Sequence, residues 1–394
     1  MRAFAVGFLF ILFIAPWSAL AKTTTDELEV SGWIPYWQGS MGIKDAKKHL
    51  SSLDAVYPFA FTVTIAGELR DQAGLDHSDW RNFTKAAKKK DVLVIPTVMS
   101  GDGMAIYGII ANPVLRKMHV EHIVDMVKEG DFDGVDIDYE GRKADSKEYF
   151  SAFLTELKAA LGDKILSCTV EPRTPPDSLY KTVPATLSYS YDYAVIGEVC
   201  DRIQIMAYDQ QRADLKLNTS KNGAPYIPVA DVDWVRKVVE LATESLPKDK
   251  IVLGVPTYGV EWAVTVYPDW FKSYSRIGAR NMDDMRAIAR KNKVTPTRNK
   301  AGEMSFTYLP KDSSIKLSSS LRIPSDTPKG NITAARALAY ANKTGNPVTV
   351  NVGWYSDARA IKDKIDLAKE FGIRGVALFK IDGEEDPKVW NYLR

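Results

Sequence analysis

Cysteine is nearly absent: the 394-residue chain holds two, Cys168 and Cys200, too few for a disulfide scaffold. One bond between them and a buried thiol pair both stay open at this level. Histidine is scarce too, and His49, His77, His119 and His122 have no metal-ligand spacing. Neither a zinc site nor a local Ser-His or Cys-His arrangement is therefore indicated. Charge of one sign is also lacking. Lys and Arg total 52 against 50 Asp and Glu, a net of +2, which excludes a global field that would draw in nucleic acid or an anionic membrane. The short basic run Lys88-Lys89-Lys90 closes a helical segment, where it suits the negative end of the dipole. Low-complexity segments and tandem repeats are missing. With 45% hydrophobic and 26% charged residues, what remains is the composition of a chain with a large buried core.

Long apolar runs are confined to the amino terminus. Arg2 precedes an apolar run from Ala3 to Ala15, short of the roughly 20 residues that span a bilayer. Ala19-Leu20-Ala21 then supplies a small-x-small cleavage pattern. Residues 1–21 are expected to be a signal peptide cleaved after Ala21, leaving 22–394 as a secreted or extracytoplasmic chain, soluble and monomeric; an uncleaved anchor is the alternative.

Short β-branched or aromatic runs alternate with segments of helical periodicity. There are eight: Val30–Trp37, Ala55–Val63, Val92–Val98, Asp133–Tyr139, Lys164–Val170, Arg202–Tyr208, Ile251–Thr257 and Gly375–Ile381. Between them lie segments such as Val114–Glu129 and Val232–Leu246. Eightfold alternation of strand and helix predicts an α/β fold, the (β/α)8 or TIM barrel. Residues from about 259 to 355 exceed what a barrel needs. They are expected to form a small α+β insertion between strands seven and eight, with a helix at Asp283–Asn292, strands at Met304–Leu309 and Val348–Trp354, and a polar loop at Lys311–Lys329. The chain should return through an amphipathic helix over Ser356–Phe371, stopped by Gly372.

The fourth run carries the chemistry. It reads DFDGVDIDYEG, with Asp133, Asp136, Asp138 and Glu140 among apolar residues. Strand alternation sends Asp136, Asp138 and Glu140 to one face and Val135, Ile137 and Tyr139 to the other. The outer face of a barrel packs on helices and must be apolar, so the acids point inward, rising to Glu140 at the carboxyl-terminal mouth. Asp133 is out of phase and is expected to make local hydrogen bonds at the strand's start. Three carboxyls at roughly 6–7 Å steps in a poorly solvated interior repel one another, so at least one holds a proton near neutral pH. That is what acid catalysis requires: Glu140 as proton donor, Asp138 as its partner and Asp136 as a deeper buffer. A calcium loop is excluded because the twelfth position is Lys147 rather than glutamate. A purely structural acid network would need bases that the motif does not contain.

Asp133-Gly-Val-Asp136-Ile-Asp138-Tyr-Glu140 matches the DxxDxDxE signature of glycoside hydrolase family 18, the chitinase-like family, on the strand where that family keeps it. The resemblance continues over nearly the whole chain. Gly32-Trp33-Ile34-Pro35-Tyr36-Trp37 is similar to the family's first strand, Met206-Ala207-Tyr208-Asp209 to its sixth, Gly254-Val255-Pro256-Thr257-Tyr258-Gly259 to its seventh, and Trp354–Arg359 to the lead-in to its eighth. The resemblance implies a retaining, substrate-assisted glycosidase. Glu140 would protonate the glycosidic oxygen, the substrate's N-acetyl carbonyl would attack to form an oxazolinium ion, and Asp138 would hold the acetamide. Tyr208 and Asp209 would bind the N-acetyl group, with Gln204 and Met206 in phase along the same run. Tyr36, Trp37, Tyr258 and Trp262 are candidate sugar platforms, of which two or three are expected to serve. Phe379 stands where the family usually has a tryptophan under the reacting sugar, a smaller floor. No cofactor and no metal are implied. The expected substrate is an N-acetylglucosamine-containing polysaccharide, with chitin-type oligomers ahead of peptidoglycan or spore cortex because Asp136 is present. A sugar-binding lectin on the same fold is the non-enzymatic alternative.

Overall fold

The structure, a computed structural model, describes residues 28–221 and 223–393; the expected signal peptide lies outside them. All eight predicted runs are strands of one parallel barrel: Glu29–Pro35, Ala55–Val63, Thr97–Ser100, Gly134–Tyr139, Ile165–Val170, Arg202–Ile205, Ile251–Pro256 and Gly375–Phe379. Each pairs with the next, and the first pairs with both the second and the eighth, closing the cylinder. The first and eighth runs end two residues early, at Pro35 and Phe379, and two others differ more. The third is split into Leu93–Val94 and Thr97–Ser100, because Pro96 has no N–H for the ladder; its carbonyl still accepts from the Asp136 N–H at 2.9 Å. The sixth ends at Ile205 rather than Tyr208. There the N–H groups of Ala207 and Tyr208 turn back onto carbonyls two residues earlier, both at 2.8 Å.

Helices cover the outside, with local chemistry setting their ends. Pro113–Glu129 starts with proline at its first position, and the Asn112 side chain accepts from Val114 N at 2.9 Å. Ala358–Phe371 ends at Gly372 in the left-handed region, φ 62°. Val135, Ile137 and Tyr139 are fully buried under the helix layer, each side chain contributing about 1.5–3 kcal/mol. The Tyr139 ring packs on Phe153 and His119. That burial sets the register, since a one-residue slip would drive Asp136 and Asp138 into the helix layer. Inside the barrel, Trp33, Tyr57, Ile95, Val252 and Ala377 form a separate apolar cluster.

Cys168 and Cys200 are joined, with Cα atoms 6.1 Å apart. The bond ties the outer face of the fifth strand to the end of the helix Tyr193–Val199. Closing a loop across a separation of 32 residues should stabilise the fold by about 3–4 kcal/mol in the chain-entropy account. Replacing both cysteines by alanine is expected to lower the urea midpoint accordingly; an unchanged midpoint would show that the bond contributes nothing.

Between the seventh and eighth strands stands a five-stranded antiparallel sheet, in the order Trp270–Arg280, Gly259–Tyr267, Val348–Tyr355, Met304–Tyr308 and Thr297–Arg298. The two expected strands and the helix, observed at Met282–Lys291, are present. The hairpin Gly259–Arg280 and the helix Ile332–Thr344 are additions that the apolar pattern did not disclose. Strand Trp270–Arg280 is largely exposed and polar. Its signal was the turn Pro268-Asp269, where Asp269 takes φ 69°.

Candidate active site

Asp136 and Asp138 face the barrel axis, and Glu140 stands directly above them. Asp136 is fully buried and ringed by donors from three other strands: Trp33 Nε1 at 3.3 Å and Thr97 Oγ1 at 2.9 Å on one oxygen, and Thr169 Oγ1 at 2.9 Å on the other. Burial pushes its pKa up, and these donors hold it partly down. Asp138 lacks such support, for its Oδ1 is buried with no partner among the described residues. Its carboxyl is raised well above the usual range, first by burial and then by repulsion from Glu140, Asp136 and Glu171. Glu140, partly exposed, is raised by burial and then by Glu171 and Asp209. The row therefore combines a donor-stabilised acid at its base with two acids above it whose pKa values are raised by burial and by the neighbouring carboxyls. Asp133 lies off the row, where its carboxylate accepts from Val94 N at 2.8 Å and fastens the fourth strand to the third.

Above the row opens a cleft of about 540 Å³ whose lining includes Asp138, Glu140, Met206, Tyr208, Asp209 and Phe379. Phe379 is its floor. The ring stacks on Tyr208, centroids 5.2 Å apart, and meets Trp33, Phe59 and Tyr258 edge-on at 5.7–6.2 Å. From Phe59 an aromatic path climbs through Trp37 at 5.8 Å to Tyr36 at a further 4.9 Å. Both outer rings are exposed, Trp37 by 49%, and present apolar faces at the rim. Asp209 occupies the left-handed region, φ 53°, and its Oδ1 accepts from Tyr258 Oη at 2.8 Å. Burial raises its pKa, and the Tyr258 hydrogen bond and Arg276 oppose the rise.

Several predicted residues stand elsewhere. Gln204 lies beneath the cleft, fully buried, donating to Ser167 Oγ at 3.1 Å, because the strand ends one residue later and the alternation that linked it to Tyr208 stops there. Tyr258 sits behind Asp209 rather than on the cleft surface. Trp262 is buried in the antiparallel sheet and is no platform. Conversely, Glu171, Arg173, Tyr191 and Trp234 line the cleft without having been singled out. Glu171 was within reach of sequence reasoning: it continues the inward phase of Ser167 and Thr169, one residue beyond the apolar run. Trp234 comes from a helix, Val232–Thr243, and is anchored by its Nε1 on Thr174 Oγ1 at 3.1 Å; nothing local marks it. Among the described residues no group of three or more His, Cys, Asp or Glu side chains is placed to hold a metal ion.

A family model described as "Glycosyl hydrolases family 18" matches residues 32–384. The "Uncharacterized glycosylase YvbX" of Bacillus subtilis is 23% identical over 323 residues, 80% of this chain and 77% of the relative. Among solved structures, a class V chitinase from Pseudomonas fluorescens superposes with a TM-score of 0.68 at 22% identity, covering 93% of this chain and 98% of that one. The Bacillus cereus spore cortex-lytic enzyme SleL gives 0.67 at 19% identity, covering 94% and 74%. At these identities the superpositions carry the fold alone.

Proposed function

The chain belongs to glycosyl hydrolases family 18 and is a glycosidase; from that membership we propose that it cleaves β-1,4 bonds of N-acetylglucosamine-containing glycans with retention, the substrate's own acetamido group acting as nucleophile. Glu140 donates its proton to the glycosidic oxygen as the bond to the anomeric carbon breaks. The acetamido carbonyl oxygen closes onto that carbon, giving an oxazolinium ion. Asp138 accepts from the acetamide N–H and offsets the positive charge that develops. Glu140, now ionised, takes a proton from water, which opens the ring from the face the leaving group vacated. The observation that carries this reading is the buried Asp138 Oδ1, partnerless among the described residues, beside Glu140, whose pKa burial and neighbouring acids raise. An unmatched acceptor at that position suits a substrate amide that arrives with its own donor. Asp209 and Tyr208 flank the acetamide, and Phe379 supports the sugar's C–H face.

Chitin-type oligomers supply this chemistry in its simplest form. Peptidoglycan cut after N-acetylglucosamine is the second reading, supported by sequence similarity to the "Cortical fragment-lytic enzyme" of Bacillus cereus, 22% identical over 338 residues. Action outside the cytoplasm accords with the Cys168–Cys200 bond, since disulfides persist in oxidising compartments.

Mass spectrometry of products from chitohexaose and from purified peptidoglycan, run side by side, tests the proposal. New reducing ends should be N-acetylglucosamine in every product, released first as the β-anomer by NMR. Products from peptidoglycan alone would remove chitin as the polymer. Inverted anomers would overturn the mechanism.

A further inference from the structure

Among the described residues the cleft lining includes four carboxyl groups, on Asp138, Glu140, Glu171 and Asp209, and a single basic side chain, Arg173. A neutral glycan on an aromatic floor has no need of a cation. Half-burying a guanidinium costs desolvation energy that an ion pair usually offsets. Arg173 makes no ion pair among the described residues. Its Nη2 donates to the Tyr191 carbonyl, while its Nε is buried without an acceptor. Asp192 lies close enough for its charge to be felt, yet it makes no ion pair with Arg173, and its Oδ1 caps the helix Tyr193–Val199, accepting from Ala194 N at 3.0 Å and Val195 N at 3.4 Å. The guanidinium is held between two rings, with Tyr193 at 3.7 Å and Tyr189 at 4.1 Å from its central carbon. Such a clamp fixes the plane of the fork and lowers the entropy lost when a planar anion docks. Arg173, Tyr189 and Tyr191 also line a neighbouring cavity of about 710 Å³, which leaves room for a branch leaving the sugar chain at this point.

We propose that Arg173 is a carboxylate-recognising subsite of the cleft, and that the preferred substrate is an N-acetylglucosamine glycan bearing a carboxylate on the adjoining sugar, such as a lactyl ether. The inference rests on the glycosidase reading above and extends it from the bond cleaved to the substituent recognised. A charge-assisted, bidentate contact would also counter the repulsion that the acidic cleft imposes on an anionic substrate.

The test compares kcat/KM on peptide-free peptidoglycan strands, on the same strands after conversion of their carboxylates to neutral methylamides, and on hyaluronan oligosaccharides, whose carboxylate sits on a uronic acid. Wild-type protein should favour the charged strands over the amidated ones by about tenfold or more, the scale of one charge-assisted hydrogen bond. Arg173→Gln should bring that ratio close to one, and Arg173→Lys should restore part of it. A hyaluronan rate that also depends on Arg173 would assign the carboxylate to either sugar type; a rate independent of it would assign the lactyl ether. Wild-type indifference to amidation, or a ratio that survives Arg173→Gln, would overturn the proposal. If no glycan is cleaved, the glycosidase reading fails separately, and calorimetry with Glu140→Gln protein decides the subsite. Binding weakened about tenfold by amidation would then uphold it, and unchanged binding would overturn it.

Discussion

Replacing Glu140 by glutamine is expected to lower kcat on a fluorogenic N-acetylchitobioside by about 10³-fold, within the range attributed to a positioned general acid. The side chain keeps its shape and loses only the proton that the leaving oxygen must take. Loss should therefore appear in kcat far more than in KM. A variant that retains more than about a tenth of the wild-type rate would remove Glu140 from the role. The same group should set the alkaline limb of the pH profile. Burial, Glu171 and Asp209 raise its pKa above the ordinary 4.5, so activity should persist above the usual carboxylate range and fall as pH rises through the raised value.

Asp138→Asn carries two opposite effects. Charge stabilisation of the oxazolinium is lost, and kcat should fall by about 10²-fold. Stability should rise at pH 7. In the wild type the folded state binds the Asp138 proton more tightly than the unfolded state does, because burial and the neighbouring acids raise the folded pKa well above 3.8. Stability from this group is therefore greatest below pH 3.8 and declines as pH climbs from there toward the raised folded value. Asparagine has no such dependence. Thermal melts should show a higher Tm for the variant at pH 7 and a difference that shrinks toward pH 4. A variant that melts lower than wild type at both values would show that Asp138 stabilises the fold rather than straining it.

On the proposed mechanism, Asp138 is a cost kept for function. A buried acid that lowers stability at neutral pH persists when the chemistry needs it. Asp136, equally buried, escapes much of that cost because Trp33, Thr97 and Thr169 donate to it. The two differ in their partners, not in their strand.

What the sequence determined by itself is what short-range periodicity encodes. Alternation along residues 133–140 placed Asp136, Asp138 and Glu140 on one face and excluded Asp133, because side-chain direction in a strand depends only on the residue's parity. Eight runs separated by helical segments implied the barrel for a similar reason, since each unit is local. Phe379 and Tyr208 were singled out only through the resemblance to the family's strand ends, and both line the cleft. What only the tertiary structure decided is which distant residues meet. Trp33 and Asp136 are separated by 103 positions and touch only because the cylinder closes. The pairing of Cys168 with Cys200 depends on one helix end packing against the fifth strand, and Trp262 left the cleft because an unforeseen hairpin carries it into another sheet. Arg173 shows the division most plainly. Its charge is visible in the sequence, but that it finds no carboxylate partner among the described residues follows from where packing puts Asp192 and from how two tyrosines close around the guanidinium, which no local pattern records.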